Sequence, residues 1–528
     1  MRMNREDIPF LLILILAILL RIYNLEVIPH WFWDEGVNMH YSWNIVHGKL
    51  QWFCLSYAFV PHPPLYLLIS GILLKIFGNN LIVLRGLSVF YSILTLILMY
   101  LIVRNMFDRN MALLASFIFA IYPFAIFWNR MAFANNQVMF LSFLCLYLFL
   151  KYLNDGKNLW LYLLSISTAS SLITEIMGFC ALVSILILFY LYDRQNLWRI
   201  FILSIIPFII FVISMLLIMP DAFIHDILHH LGRTNFGILL ILPIFIFMFI
   251  LPVIIPLSRC KDRIIEFYSP VINEIRANTT LFYFIISPVI IFMTSENFTM
   301  NEDVIVRGLD LFWFGIIGIY FVGDKMKKNV LLAFFIPLLA MILWLDRADH
   351  MLIPLHPYIC IFLAILFYKL FKLLNNKSVV ALIVFYPLLL YPYYDINLYI
   401  LNTWLNREDI NGRMDMVEFI NSHVNESDFV IADSHTTRFI NCRTSVLPQT
   451  AAIKGKSIAY YASDYKPERF LFNCSHENAK FIVIENGTIK RVLNQNCLRD
   501  IILEIQNWSI HRINNYIIFE NPRFTRDR

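Results

Sequence analysis

Charge is scarce in this sequence. Asp, Glu, Lys and Arg make up 15% of its 528 residues, where soluble domains carry about a quarter. Beside a 59% hydrophobic content, that shortage excludes an ordinary soluble enzyme. The net charge of +5 is too small to argue for nucleic acid, and none is expected as a partner. A Walker loop and a glycine-rich dinucleotide fingerprint are both missing, so the chemistry calls for no nucleotide site. Internal repeats and low-complexity linkers are missing as well. The eight cysteines form no Cys-x-x-Cys pair. Cys54, Cys145, Cys180, Cys260 and Cys360 lie in or near apolar runs and read as packing residues. Cys442, Cys474 and Cys497 sit in polar sequence, where one disulfide can form if that part is extracytoplasmic.

What is abundant is long apolar sequence. Runs such as Ile8–Leu20, Ile200–Met219, Ile238–Leu257 and Val379–Leu390 are separated by short basic clusters. Spans of roughly 20 residues are what a hydrocarbon layer about 30 Å thick requires of a helix. Arg2 and Arg5 precede the first run as in a signal peptide, but no small-residue cleavage site follows Leu20, so a retained first span is expected.

The basic clusters set the threading. With the N-terminus cytoplasmic, the next full span covers about 82–103 and ends in Arg104 and Arg109. Pro64–Phe77 is too short to cross comfortably and is expected to lie on the outer surface as a juxtamembrane helix. Lys151/Lys157, Arg194/Arg199, Lys325/Lys327/Lys328 and Lys369/Lys372/Lys377 then all fall inside. The count reaches about 13 spans, the last near 379–400. The expectation is an all-α polytopic membrane protein over 1–404.

After Trp404 the pattern changes. Asp428–Asp433, Ala479–Ile484 and Tyr516–Phe519 alternate as short strands, and Met414–His423 has helical spacing. A small α/β domain over 405–528 is expected. An odd number of spans puts it on the extracytoplasmic side, which agrees with the sequons at Asn425, Asn473, Asn486 and Asn507.

Carboxylates beside aromatic sequence at a membrane ask for an explanation. In His30-Trp31-Phe32-Trp33-Asp34-Glu35-Gly36 two adjacent acids follow three aromatics, just past the first span. A carboxylate so placed suits general-base work on a hydroxyl, and an interfacial aromatic belt with two solvated acids is the alternative. His62 stands in Pro61-His62-Pro63-Pro64-Leu65-Tyr66. Arg85 opens the second span, Arg130 and Asn135 lie in an outer loop, and Arg347 and His350 precede a late span. Each arginine alone reads more readily as a snorkelling anchor than as a ligand. Together they suit an anionic lipid head group, because arginine pairs with phosphate through two parallel hydrogen bonds.

These residues, in this order, resemble the GT-C membrane glycosyltransferases. They run from Asp-Glu in the first outer loop through His-Pro-Pro-Leu-Tyr and Leu-Arg-Gly-Leu-Ser to an Arg-x-x-x-x-Asn loop. A late Arg-x-x-His-x-x-x-Pro-x-x-Pro completes them. The nearest branch is the protein O-mannosyltransferase and lipid A aminoarabinose transferase group, and the likeness is best over 20–180. The resemblance implies a polyprenyl-phosphate donor carrying one sugar, a protein, glycan or lipid acceptor, and transfer with inversion. It implies Asp34 as base with Glu35 assisting. Arg85, Arg130, Arg347 and His350 would bind the donor phosphate, and His62, Tyr66, Asn135 and Glu175 the substrates. Asn135 stands where many members have an acid, and Glu175 where relatives often have lysine.

No cofactor is required by this chemistry. A divalent metal is admitted by Asp221, His225 and His229, spaced four apart with His230 adjacent, although a polar amphipathic segment lying on the membrane is the simpler reading. A transporter or flippase of a lipid-linked sugar, a non-catalytic membrane subunit and an oligosaccharide transferase remain the alternatives.

Overall fold

The computed structural model describes residues 7–29, 32–54, 63–221, 223–224, 227–228, 318–344, 349–373, 408–434, 436–455, 468 and 470–524. The expectations for His62, His225, His229 and Arg347, for the spans near 238–257 and 379–400, and for a boundary at 404 lie outside these residues.

The first part is helical: α1 (Ile8–Ile22), α2 (Trp33–His47), α3 (Leu65–Phe77), α4 (Leu81–Met106), α5 (Arg109–Ile121), α6 (Pro123–Asn129), α7 (Ala134–Asp155), α8 (Asn158–Leu172), α9 (Phe179–Tyr192), α10 (Leu197–Ile218), α11 (Lys325–Trp344) and α12 (His356–Leu373). Local chemistry fixes several ends. The Asn80 side chain caps α4 by accepting from the Ile82 N–H at 3.0 Å, and Asp108 caps α5 through the Met111 N–H at 2.8 Å. Gly156 closes α7 in the left-handed region at φ 64°, which a side chain would disfavour.

The helices form one packed body. α4 packs on α5 and α7, α7 on α8, α8 on α10, α5 on α12, and α9 on α11. Burial divides them. In the most apolar stretch of His350–Lys369, 83% of residues are covered, so α12 is central; in Arg194–Ile218 the share is 17%, so α10 is peripheral. Ile202, Ile206, Ile209, Ile210 and Ile213 on α10 are exposed, an apolar face suited to lipid rather than water. Inside, Ser142 and the Tyr358 hydroxyl hydrogen-bond at 3.0 Å between α7 and α12.

The expected thirteen spans are not established. Among the described residues, four helices are long and apolar enough to cross, and four shorter apolar helices accompany them, α3 among the latter. At 13 residues, α3 is about 20 Å long, short of the hydrocarbon thickness. Its exposed Leu68, Ile72, Ile76 and Phe77 give it an apolar outer face.

The second part holds α13 (Glu408–His423), β1 (Phe429–Ile431), β2 (Arg443–Ser445), α14 (Leu447–Ile453), β3 (Phe481–Glu485), α15 (Ile489–Asn494), α16 (Asn496–Glu504), β4 (Ser509–Ile513) and β5 (Tyr516–Glu520). The sheet order is β2-β1-β3-β5-β4. β1 is parallel to β2 and β3, β5 runs antiparallel to β3, and β4 is antiparallel to β5. Side chains alternate between faces. Phe481, Val483 and Ile518 pack with Met416, Val417 and Ile420 of α13. Ile482, Ile484 and Phe519 face the other way, into a cluster with Phe53, Cys54, Met215 and Phe223 from the helical part. The sheet is therefore covered by its own helix on one side and partly by the membrane part on the other. The segment after α2 also extends the sheet edge: Phe53 pairs in parallel with Thr444, whose hydroxyl donates to the Trp52 carbonyl at 3.2 Å.

Candidate active site

The site forms where α2 begins. Glu35 sits in the first turn and accepts from the Phe32 N–H at 3.1 Å, satisfying one of the backbone donors that a helix start leaves unpaired. The same carboxylate meets Arg85 of α4 through two parallel hydrogen bonds, Oε1 to Nε at 2.9 Å and Oε2 to Nη2 at 2.7 Å. It also accepts from the Ala132 N–H at 2.8 Å. Both side chains are 0% exposed. Burial alone would push the Glu35 carboxyl up, but the Arg85 guanidinium and these hydrogen bonds hold it below its ordinary value. One carboxylate thus joins α2, α4 and the loop before α7.

Asp34, the other acid, is partly exposed. It takes no hydrogen bond from any described residue. The adjacent acids therefore differ: Glu35 is buried and fixed, and Asp34 is partly exposed beside it.

The arginines shape the wall. Arg85 Nη1 donates to the Leu25, Glu26 and Pro29 carbonyls at 3.0, 3.3 and 2.9 Å. Arg130 donates to Ile28 O at 3.1 and 2.8 Å, to Leu20 O at 3.1 Å and to Tyr23 O. Nothing in this geometry tests the expected place of either arginine on a donor phosphate. Both are covered, and their named hydrogen bonds gather the turn after α1 and fix Glu35.

His350 comes to the same region from the far end of the helical part. Its ring stacks on Phe133, centroids 4.7 Å apart with 9° between planes, and lies 6.1 Å from Trp128. Phe133 and Trp128 in turn meet Phe32 edge-on at 5.7 and 6.2 Å. An aromatic cluster therefore links His350 to the residue two places before Asp34. Asn135 and Glu175 are brought to neighbouring elements: Asn135 Nδ2 lies 3.8 Å from Met177 Sδ, while Glu175 caps the 176–178 turn through the Ile176 N–H. The Leu65 N–H donates to Ile173 O at 2.9 Å, so α3 starts beside that turn. Tyr66 is buried among Leu87, Tyr91 and Ala134. Asp221 is exposed beyond α10 and joins no cluster of ligand-bearing groups among the described residues.

Several residues escaped the sequence reading. Arg21, at the end of α1, is fully buried and donates to Ser92 Oγ, Ala120 O and Phe119 O at 2.8, 3.0 and 3.0 Å, and to Asn129 Oδ1 at 3.4 Å. Asn129 continues to Asn136 at 2.8 Å, whose amide holds the Trp128 and Met131 carbonyls. A cation closing an apolar run is the signal, but it reads equally as a flank. Arg438 of the sheet domain reaches Met39 Sδ on α2 at 3.1 Å and covers the Phe439 ring at 4.2 Å. Burial works against its charge, and the nearby Glu35 supports it. Thr-Thr-Arg-Phe in a polar domain carries no signal for that.

One described cluster could hold a metal. His476, Glu477 and Glu504 bring ligand atoms within 4.8 Å of one another. Glu504 Oε2 already meets His476 Nε2 and Lys454 Nζ, each at 2.8 Å, so an ammonium competes for the place of a cation. The cluster lies in the sheet domain and not beside Asp34.

Residues 61–224 match the family described as dolichyl-phosphate-mannose-protein mannosyltransferase. A putative mannosyltransferase, YkcB of Bacillus subtilis (strain 168), is 30% identical over 167 residues, which are 29% of this chain. That match spans only 22% of the relative's length. ArnT from Cupriavidus metallidurans, solved with undecaprenyl phosphate, superposes with a TM-score of 0.58 over 98% of both chains at 11% identity. The fold is that of the GT-C glycosyltransferases. AglB from Archaeoglobus fulgidus, an oligosaccharyltransferase solved with an inhibitory peptide and a dolichol-phosphate, covers 98% of this chain and 74% of its own. Its TM-score is 0.54 at 15% identity, and a crystal structure of the oligosaccharyltransferase from that organism holds zinc and sulfate. The GT-C fold places this chain among multi-pass membrane proteins and agrees with the order of motifs from Asp34 to Pro357.

Proposed function

We propose that the protein moves a single sugar from a polyprenyl-phosphate donor to an acceptor hydroxyl, with inversion, on the extracytoplasmic face. The division of labour between the adjacent acids carries this reading. Glu35 is saturated by Arg85, Phe32 and Ala132, so it keeps its proton state and positions the turn. Asp34, beside it and without a partner among the described residues, is the base. It takes the acceptor's proton as the acceptor oxygen bonds to the anomeric carbon. The bond from that carbon to phosphate oxygen breaks, and the polyprenyl phosphate leaves with its negative charge. His350 and Arg347 are the candidates to stabilise that charge, the larger share of such catalysis.

The bound lipids of ArnT and AglB and the mannosyltransferase match support a lipid-linked donor, and mannose is the first sugar to try. The test is transfer from radiolabelled polyprenyl-phosphate mannose in membranes. Asp34→Asn is expected to lose at least about 100-fold of the rate while its thermal midpoint in detergent stays near wild type. Transfer at the wild-type rate by that variant sinks the assignment. Wild-type protein that flips the donor but transfers nothing would favour the transporter.

A further inference from the structure

Cys54 and Cys474 come from distant parts of the chain, yet their sulfurs share one buried site. Cys54 ends the segment that runs beside β2, and Cys474 precedes β3. Neither is exposed, and both thiols are free in the structure. Both meet Gln449: Cys54 Sγ lies 2.7 Å from its Oε1, and Cys474 Sγ lies 3.7 Å from its carbonyl oxygen. The backbones are tied as well, for the Leu471 N–H donates to Cys54 O at 2.6 Å. Burial, together with the neighbouring Cys474 thiol, pushes the Cys54 thiol well up. Around them stand Phe53, Phe470, Ala479 and Ile482. No His, Asp or Glu among the described residues completes a metal site with the pair.

We propose that Cys54 and Cys474 become a disulfide in the mature protein, tying the segment after α2 to the sheet domain. This rests on the reading that both residues lie on the extracytoplasmic side, where disulfides persist. Each thiol gives up its proton, the two sulfurs bond, and two electrons pass to the disulfide of an extracytoplasmic thiol oxidoreductase, which leaves as the dithiol. The exchange precedes docking of the sheet, because docking covers both sulfurs. The bond closes a loop around nearly the whole membrane part, the kind of closure that most restricts the unfolded chain. It also keeps α2, with Asp34 and Glu35 at its start, from parting from the domain that carries Arg438.

The test uses full-length protein from native membranes, alkylated during lysis under denaturing conditions without reductant, then digested and weighed. The expected result is a peptide containing Cys54 joined to one containing Cys474, two hydrogens lighter than their sum and separated by reductant. Both cysteines recovered alkylated before reduction overturns the proposal. A Lys490→Cys variant, treated in intact cells with a membrane-impermeant maleimide, reports the side of the domain. Free thiols with labelled Cys at 490 refute the disulfide alone. Free thiols with that position unlabelled refute the outer location as well.

Discussion

Arg85 and Glu35 meet side by side through two parallel hydrogen bonds, 2.9 and 2.7 Å long, with neither side chain exposed. A buried pair of this kind is weak as a net source of stability but severe when halved, because one charge is then stranded. Its value here is placement. It fixes the first turn of α2, and therefore the direction of Asp34, against α4 and the Ala132 loop.

Glu35→Ala is expected to strand the Arg85 guanidinium and cost about 3–5 kcal/mol, read as a large fall in thermal midpoint in detergent. Asp34→Asn, one residue away, is expected to leave that midpoint within about 0.5 kcal/mol of wild type while abolishing transfer. Equal destabilisation by the two would contradict the separate roles of the acids.

The pair also dictates a pH response. Glu35 has a lower pKa folded than unfolded, since Arg85 and two backbone N–H donors outweigh its burial. Its contribution is fully present above the ordinary carboxylate value of about 4.3 and disappears as pH falls through the depressed folded value. Thermal midpoints taken from neutral pH downward should therefore drop at acid pH in wild type and drop less in Glu35→Gln. Parallel curves for the two proteins would remove Glu35 as the cause.

Much of this was legible in the sequence, and the reasons are physical. The Asp-Glu pair stood out because acids are costly beside aromatics at a membrane, and β3 and β5 showed because strands alternate with period two. β4 was missed because it is an edge strand whose side chains are mostly uncovered, and β2 because three residues are too few to show a period. Arg85 and Arg130 were found as charges, but their carbonyl partners were not. A sequence displays a cation, not the carbonyls that a turn such as 25–29 will present to it. Cys54 read as packing, and it is buried in the cluster between the sheet and the helical part.

The dependence of the sheet on the helical part can be measured. Phe53 is buried between the two, beside His40 at 4.8 Å and Tyr41 at 5.1 Å. Phe53→Ala is expected to cost about 3–5 kcal/mol and to expose the sheet domain to limited proteolysis that wild type resists. Unchanged protection would mean that the domain holds its place without this contact.

The last prediction concerns the network behind the site. Asn129 accepts from Ser92 at 3.0 Å and Arg21 at 3.4 Å, and donates to Asn136 at 2.8 Å. Asn136 in turn fixes the Trp128 and Met131 carbonyls, immediately before the Ala132 N–H that holds Glu35. Asn129→Leu keeps roughly the volume but removes the bonds that Asn129 itself makes to Ser92, Arg21 and Asn136, at about 1–3 kcal/mol for each buried polar group left unpaired. The thermal midpoint should fall and transfer with it, since the loop positions Glu35 and Glu35 positions Asp34. Ser92→Ala removes one hydroxyl from the same network and should cost clearly less on both measures. A Ser92→Ala variant as impaired as Asn129→Leu would show that the effect travels through the α1–α4 contact, where Ser92 meets Arg21, and not through the 129–136 loop.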